Sequence, residues 1–281
     1  MAQVRPAAVA GSFYPAEADE LRELLDECFI ASPLGPRGGR EVSPSLLGGM
    51  VPHAGYAYSG PCAAHLYAAL DKDIRQVILL GVNHRGRGSS AALSAAEIWQ
   101  TPLGKVPVDR AAGERLKSQV DFLAEDERPH RDEHSIEVQL PFLQCVLGEF
   151  AFVPLSLSYL TLEECRRLGE AVARAYEAGT GAGTKILLLA SSDLNHYLSP
   201  KETERLDALV LEKILALDPA GLLESVEENN ISMCGVIPTA VLLFAANALG
   251  AKRARLLKHC HSGDVARMKE VVGYASVAVQ F

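Results

Sequence analysis

The sequence lacks closely spaced cysteines and long apolar runs. Its six cysteines lie at positions 28, 62, 145, 165, 234 and 260, no two closer than 20 residues. This spacing excludes the CxxC motifs of zinc ribbons, thioredoxin-like proteins and iron–sulfur proteins. The longest apolar stretch, Val236–Leu249, is short of the roughly 20 residues that a bilayer requires. We therefore expect free thiols and no membrane span.

The sequence also carries fewer basic than acidic residues. Lys and Arg number 27 against 35 for Asp and Glu, which gives a net charge of −8. Without a basic block there is no electrostatic reason to expect binding to nucleic acid or an anionic membrane. The first residues carry Arg5 and turn polar by Ser12 without an apolar signal region, so a cytoplasmic protein is expected. Walker, GxGxxG and GxSxG motifs are absent, and the Gly86–Ser90 segment is interpreted as an ordinary loop.

Apolar segments of strand length alternate with helical patterns along all 281 residues, 48% of which are hydrophobic. The alternation predicts one α/β domain over residues 1–281, with a mixed, mostly parallel central sheet flanked by helices. Continuously apolar segments are typical of strands covered on both faces. The predicted strands are Leu46–Val51, Val77–Val82, Phe150–Leu157, Lys185–Ala190, Arg255–His259 and Tyr274–Phe281.

Three of these strands are each followed by a histidine. His53 follows Leu46–Val51, His84 follows Val77–Val82, and His196 follows Lys185–Ala190, with Asp193 in the same loop. Ligands of open α/β sheets bind beyond the carboxyl ends of the strands. Imidazole is a common ligand of zinc, copper, iron and nickel. The pattern favours a metal site at this edge, although any one histidine alone would be an ordinary loop or core residue.

A second polar group spans residues 132–137 (DEHSIE). His134 and Glu137 are three residues apart and are predicted to share a helix face. Pro141 is expected to end or kink this helix. The alternative interpretation is an acidic, solvated helix start.

The third group surrounds Cys234, which precedes the apolar helix predicted from Thr239. A helix N-terminus favours the thiolate form of a nearby cysteine, and thiolate is the form that binds metals or acts as a nucleophile. The alternative is that Cys234 only packs, as the other five cysteines are expected to do.

These motifs resemble those of the MEMO family, named for a mediator of ErbB2-driven cell motility, whose prokaryotic members are often called AmmeMemoRadiSam system protein B. Several blocks in one order carry the resemblance, nearly from end to end. They are AGSFYP (10–15), VPHAGYAYSGPCAAHLY (51–67), LLGVNH (79–84), DEHSIEVQLPF (132–142), SSDLNH (191–196) and CGVIPTAVLL (234–243).

The resemblance implies a single domain similar to the class III, LigB-type, non-haem iron dioxygenases. The family's metal-site pattern falls on His53, His84 and Cys234, with Asp193, His196 and His134 lining the same cleft. Phe13 stands where the family pattern has tryptophan, which keeps an aromatic wall without an indole N–H. The matching blocks also hold the residues expected to contact a ligand, which are Phe13, Tyr14, Tyr56 and Asn83.

Two functions follow as hypotheses. One is a metal-dependent oxidoreductase using Fe(II) or copper, with zinc also compatible, in which His196 or His134 acts as acid or base and Asp193 or Glu137 orients it. The other is a non-catalytic protein that binds a small molecule or peptide in the same cleft. A zinc hydrolase is disfavoured because a thiolate lowers the Lewis acidity of the ion. The family neighbourhood further implies a functional link to radical SAM and AMMECR-type proteins.

Overall fold

The computed structural model describes residues 3–39 and 41–281. Twelve strands and eight helices are formed within these ranges. The strands are β1 Val4–Arg5, β2 Leu46–Val51, β3 Gln76–Val82, β4 Ala91–Leu93, β5 Ile98–Thr101, β6 Gly104–Pro107, β7 Ala124–Glu125, β8 Ala151–Leu157, β9 Ile186–Ser191, β10 His196–Leu198, β11 Arg253–His261 and β12 Val271–Gln280. The helices are α1 Ala18–Asp26, α2 Tyr56–Ala68, α3 Arg110–Lys117, α4 Leu140–Leu147, α5 Leu162–Gly181, α6 Pro200–Leu215, α7 Pro219–Glu228 and α8 Val236–Ala248.

Nine strands form one mixed sheet in the order β10-β12-β2-β9-β3-β8-β4-β7, with β11 also paired to β12. Its centre, β2-β9-β3-β8, is parallel, whereas β12 and β4 join it antiparallel. A second, three-stranded sheet has the order β1-β5-β6. This architecture confirms the predicted single α/β domain with a mixed, largely parallel sheet. Within the described ranges, none of the helices combines the length and hydrophobicity of a bilayer crossing.

Helices cover both faces of the large sheet. Alternate residues of its central strands point to opposite faces, so each strand contributes side chains to two cores. Val77 and Leu79 of β3 join the core formed with α1, α2, α4 and the small sheet. Ile78 and Leu80 join the core formed with α3, α5 and α8. Both faces of β3 are therefore buried in apolar cores, which explains its continuous apolar sequence.

The six predicted strands are all present, with bounds that shift by up to three residues. The short strands β1, β4, β5, β6, β7 and β10 were not predicted. Pro141 lies in the first turn of α4, directly after the 3₁₀ turn at residues 137–139, so the helical segment is divided next to this proline. An N–H in that turn has no intrahelical partner, so proline is tolerated there.

The strands that carry the histidines lie side by side. Parallel β9 lies between β2 and β3, with Val51 of β2 opposite Ser191 and Leu80 of β3 opposite Ala190. The carboxyl ends of the three strands are therefore level, and the loops that follow them meet at one edge of the sheet.

Candidate metal centre

His53, His84 and His134 meet at this edge. Each can offer a ring nitrogen such that the three atoms lie within 4.8 Å of one another. The His84 and His134 rings stack with their centroids 4.6 Å apart, and His53 stands nearly perpendicular to both. His53 is buried, whereas the other two rings are partly open to solvent. The cluster could hold a metal ion.

Ser191 fixes the protonation of His53. Its Oγ donates to the carbonyl of Ser135 at 2.7 Å and accepts from Nε2 of Gln139 at 2.8 Å. The hydroxyl proton of Ser191 is therefore used in the bond to Ser135. In the 2.9 Å contact between Oγ of Ser191 and Nδ1 of His53, the donor must then be Nδ1–H of the histidine. The lone pair of His53 is therefore on Nε2, available to a ligand.

Glu133 fixes His84 in the same tautomer and lies beside the ring of His134. Its Oε1 lies 2.9 Å from Nδ1 of His84 and 3.2 Å from Nδ1 of His134. Burial acts to raise the pKa of Glu133, but its bond to His84 and the nearby imidazoles lower that pKa to about 2. An ionised carboxylate only accepts, so Nδ1 of His84 donates to it and Nε2 of His84 carries the lone pair. Carboxylates that hold metal-ligating histidines in this way are common in metalloproteins.

His53 and His134 are neutral near pH 7 in the folded protein. Burial, followed by the neighbouring His134 and His84, holds the pKa of His53 well below its usual range. Burial also lowers the pKa of His134 to about 4, although Glu133 opposes the shift. Neutral imidazole is the form that coordinates metals, so these residues fit the ion that the sequence predicts.

Cys234 lies beside the cluster, with its Sγ 3.1 Å from Nε2 of His53. Burial, followed by the charge of Asp193, raises the pKa of this thiol. The direction is opposite to the one predicted from the helix N-terminus alone, because burial outweighs the dipole of α8. The thiol keeps its proton and can donate it to the lone pair of His53.

Asp193 anchors the loop after β2. Its Oδ1 accepts from the backbone N–H of His53 at 2.7 Å and of Ala54 at 3.3 Å. Burial raises the pKa of Asp193 to about 6 against these hydrogen bonds. A carboxyl group with this pKa can exchange a proton near neutral pH.

His196 lies at the rim of the site, half-buried. Its Nδ1 donates to the carbonyl of Ser232 at 2.8 Å and its backbone N–H donates to Oγ of Ser232 at 2.8 Å. The sequence grouped it with His53 and His84 at the strand ends, but His134 is the histidine that joins those two in the cluster.

Glu137 holds the N-terminal segment of the protein. Its carboxylate accepts from Arg5 at 2.6 Å, from the hydroxyl of Tyr14 at 2.6 Å, and from the backbone N–H groups of Ala8 and Val9. The predicted shared helix face with His134 is not formed, since residues 137–139 make a single 3₁₀ turn. The acid beside His134 is Glu133, which the argument from helical spacing did not select.

The four residues expected to contact a ligand have different surroundings in the structure. Phe13 stacks on His134 with 4.4 Å between ring centroids and forms a wall of the cluster. Tyr14 and Tyr56 are buried, with their hydroxyls bound to Glu137 and to the carbonyl of Val138. The amide of Asn83 binds the backbone of Arg87 and braces the turn after His84.

The fold and the site together define an α/β protein with a three-histidine group that could hold a metal. A family model described as Memo-like protein matches residues 5–278. A MEMO1 family protein of Methanopyrus kandleri is 43% identical over 97% of this chain and 98% of its own length. Another from Ignicoccus hospitalis is 45% identical over 98% of both chains. The chain therefore belongs to the Memo family.

The fold is also found among solved structures. The crystal structure of an uncharacterized protein of Escherichia coli K12 superposes with a TM-score of 0.50 and covers 75% of this chain and 88% of its own. The two sequences are 14% identical, so the likeness concerns the fold alone.

Proposed function

We propose that this protein is a metal-dependent oxidoreductase that binds iron or copper through His53, His84 and His134, with Cys234 as a further ligand. The observation that carries the proposal is the convergence of three imidazoles, whose ligand nitrogens lie within 4.8 Å of one another. The Nδ1 atoms of His53 and His84 are each engaged by a hydrogen-bond partner. Imidazole suits iron and copper as well as zinc, and an added thiolate favours the softer ions. A bound ion of this kind would supply the electron-transfer chemistry that the side chains lack.

The side chains around the cluster have separate roles in this proposal. Cys234 gives up its proton when it becomes a ligand, and Asp193 takes up or returns a proton near neutral pH, consistent with its pKa of about 6. Phe13 covers His134 and limits the access of water. His196 lies close enough to His53 and Asp193 to interact with them electrostatically, and in this proposal it binds the polar part of a small-molecule ligand.

The metal content of untagged protein tests the ligand set. We expect about one ion per chain in the wild type and a strong loss in His84→Ala and Cys234→Ala. The matched control is His65→Ala, because His65 is half-buried at the carbonyl of Leu34 and takes no part in the cluster. Equal metal content in Cys234→Ala and the wild type would exclude the thiolate ligand.

Turnover is tested separately by oxygen consumption after anaerobic reconstitution with Fe(II) or Cu(I). Oxygen consumption by the wild type that is lost in His84→Ala would support an enzymatic function. A protein that retains its metal but consumes no oxygen across a broad substrate panel would instead be a non-catalytic ligand-binding protein.

A further inference from the structure

A groove lies at the carboxyl ends of β3 and β8, where Val82 and Leu157 line it. It encloses about 640 Å³. Cys234 lines one end, and Asn83, the residue before His84, lines the floor. Because the sulfur of Cys234 also lies 3.1 Å from His53, the groove borders the candidate metal centre at this residue.

The walls of the groove are apolar and come from three parts of the chain. Glu227 is the one charged side chain among the groove's lining residues. Two large apolar residues at the rim, Tyr159 and Leu162, are 79% and 49% exposed. The apolar walls include Leu157 at the end of β8, Leu160 from the segment that follows it, Leu223 and Val226 from α7, and Val236 and Ile237 from α8.

The groove is held open by hydrogen bonds within the protein. The backbone N–H of Ser158 donates to the carbonyl of Ser90 at 2.8 Å, which fixes the start of the 158–162 wall. Thr161 and Glu164 form a capping box that fixes its end at α5. A preformed, mostly apolar cavity with polar groups at one end is typical of a small-molecule site.

We propose that this groove binds the uncharged alkyl or aryl part of a small molecule whose polar head reaches the histidine cluster. This inference rests on the proposed function, because the metal would hold the head group. The walls offer apolar contact to the tail, and Glu227 at pH 7 repels a negative charge on it. The ligand class is therefore a metal-binding head on a neutral, apolar tail.

Straight-chain hydroxamates, from acetohydroxamate to octanohydroxamate, test this class on the metal-loaded protein. Their head group is constant, and burial of each methylene is expected to tighten binding about fourfold until the groove is filled. A chain ending in a carboxylate is expected to lose most of this gain. Dissociation constants that do not change with chain length would overturn the proposal.

A second assay separates the groove from the metal. We expect the neutral dye Nile red to bind the full chain even with a chelator present, to be displaced by 1-octanol, and to bind at least fivefold more weakly to Leu162→Asp. Val265→Asp is the matched control, because Val265 is also exposed (42%) and lies outside the groove. If Leu162→Asp bound the dye as tightly as the wild type, the proposal that this groove is the binding site would be overturned. Absence of metal would contradict only the proposed function.

Discussion

Oε1 of Glu133 accepts a hydrogen bond from Nδ1 of His84 at 2.9 Å, and Nδ1 of His134 lies 3.2 Å from the same oxygen. The backbone N–H groups of His134 and Ser135 donate to this oxygen as well. The rings of His84 and His134 stack with 15° between their planes. One buried carboxylate therefore sets the orientation and the tautomer of His84 and fixes the backbone of His134.

Replacement of Glu133 by glutamine is expected to weaken metal binding by about 10–100-fold, the usual effect of removing a partner that orients a ligand. The amide has no negative charge, and one of its two polar atoms donates instead of accepting. The variant therefore cannot accept from both Nδ1 and the backbone N–H of His84, which bind the two oxygens of Glu133. Competition with a chelator of known affinity measures the change.

Asp132→Asn is the control for this variant. Asp132 is the preceding acid, but it is exposed and pairs with Arg87. We expect its metal affinity to remain within about twofold of the wild type, since exposed ion pairs contribute little. A Glu133→Gln protein with wild-type affinity would show that Glu133 does not orient the ligands.

The central sheet could be predicted from the sequence because its strands are buried on both faces. VILLGV at 77–82 and ILLLA at 186–190 are apolar without interruption, and that pattern is typical of central parallel strands. Short strands such as β1 and β7 have two residues each, too few for a periodic pattern to form. Their pairing depends on contacts between distant parts of the chain.

The candidate site could be predicted only in part. His53 and His84 follow strands, so topology alone brought them together. His134 and Glu133 lie in an irregular turn, where helical spacing does not apply, and the spacing argument selected Glu137 instead. The direction of the Cys234 pKa depends on burial, which no local sequence pattern reports.

Metal binding is expected to release about one proton at pH 8. His53 and His134 are already neutral there because their pKa values are lowered, whereas the raised pKa of Cys234 keeps the thiol protonated. The affinity should therefore rise about tenfold per pH unit as the thiol loses its proton to the metal. Calorimetry in buffers of different protonation enthalpy counts the proton. Cys234→Ser should release none, and an unchanged release would exclude Cys234 as a ligand.

Glu137→Gln is expected to destabilise the fold by about 3 kcal/mol, because it leaves the buried guanidinium of Arg5 without its ion partner. Urea denaturation measures this loss. Tyr14→Phe removes a single hydrogen bond to Glu137 and should cost about 1 kcal/mol. A fully stable Glu137→Gln protein that binds metal but has lost turnover would instead support a catalytic role for Glu137.

His130 is expected to make the fold sensitive to acid. Burial, followed by the nearby Arg5, lowers its pKa to about 3, whereas the unfolded chain titrates near 6.5. Between these values the unfolded state binds the extra proton, so stability falls as the pH falls, by about 1.4 kcal/mol per pH unit for one proton. His130→Gln keeps an N–H donor for the carbonyl of Ala92 but does not titrate. Its stability measured by urea denaturation from pH 6 to pH 4.5 should therefore fall less steeply than that of the wild type, and parallel curves would contradict the assignment.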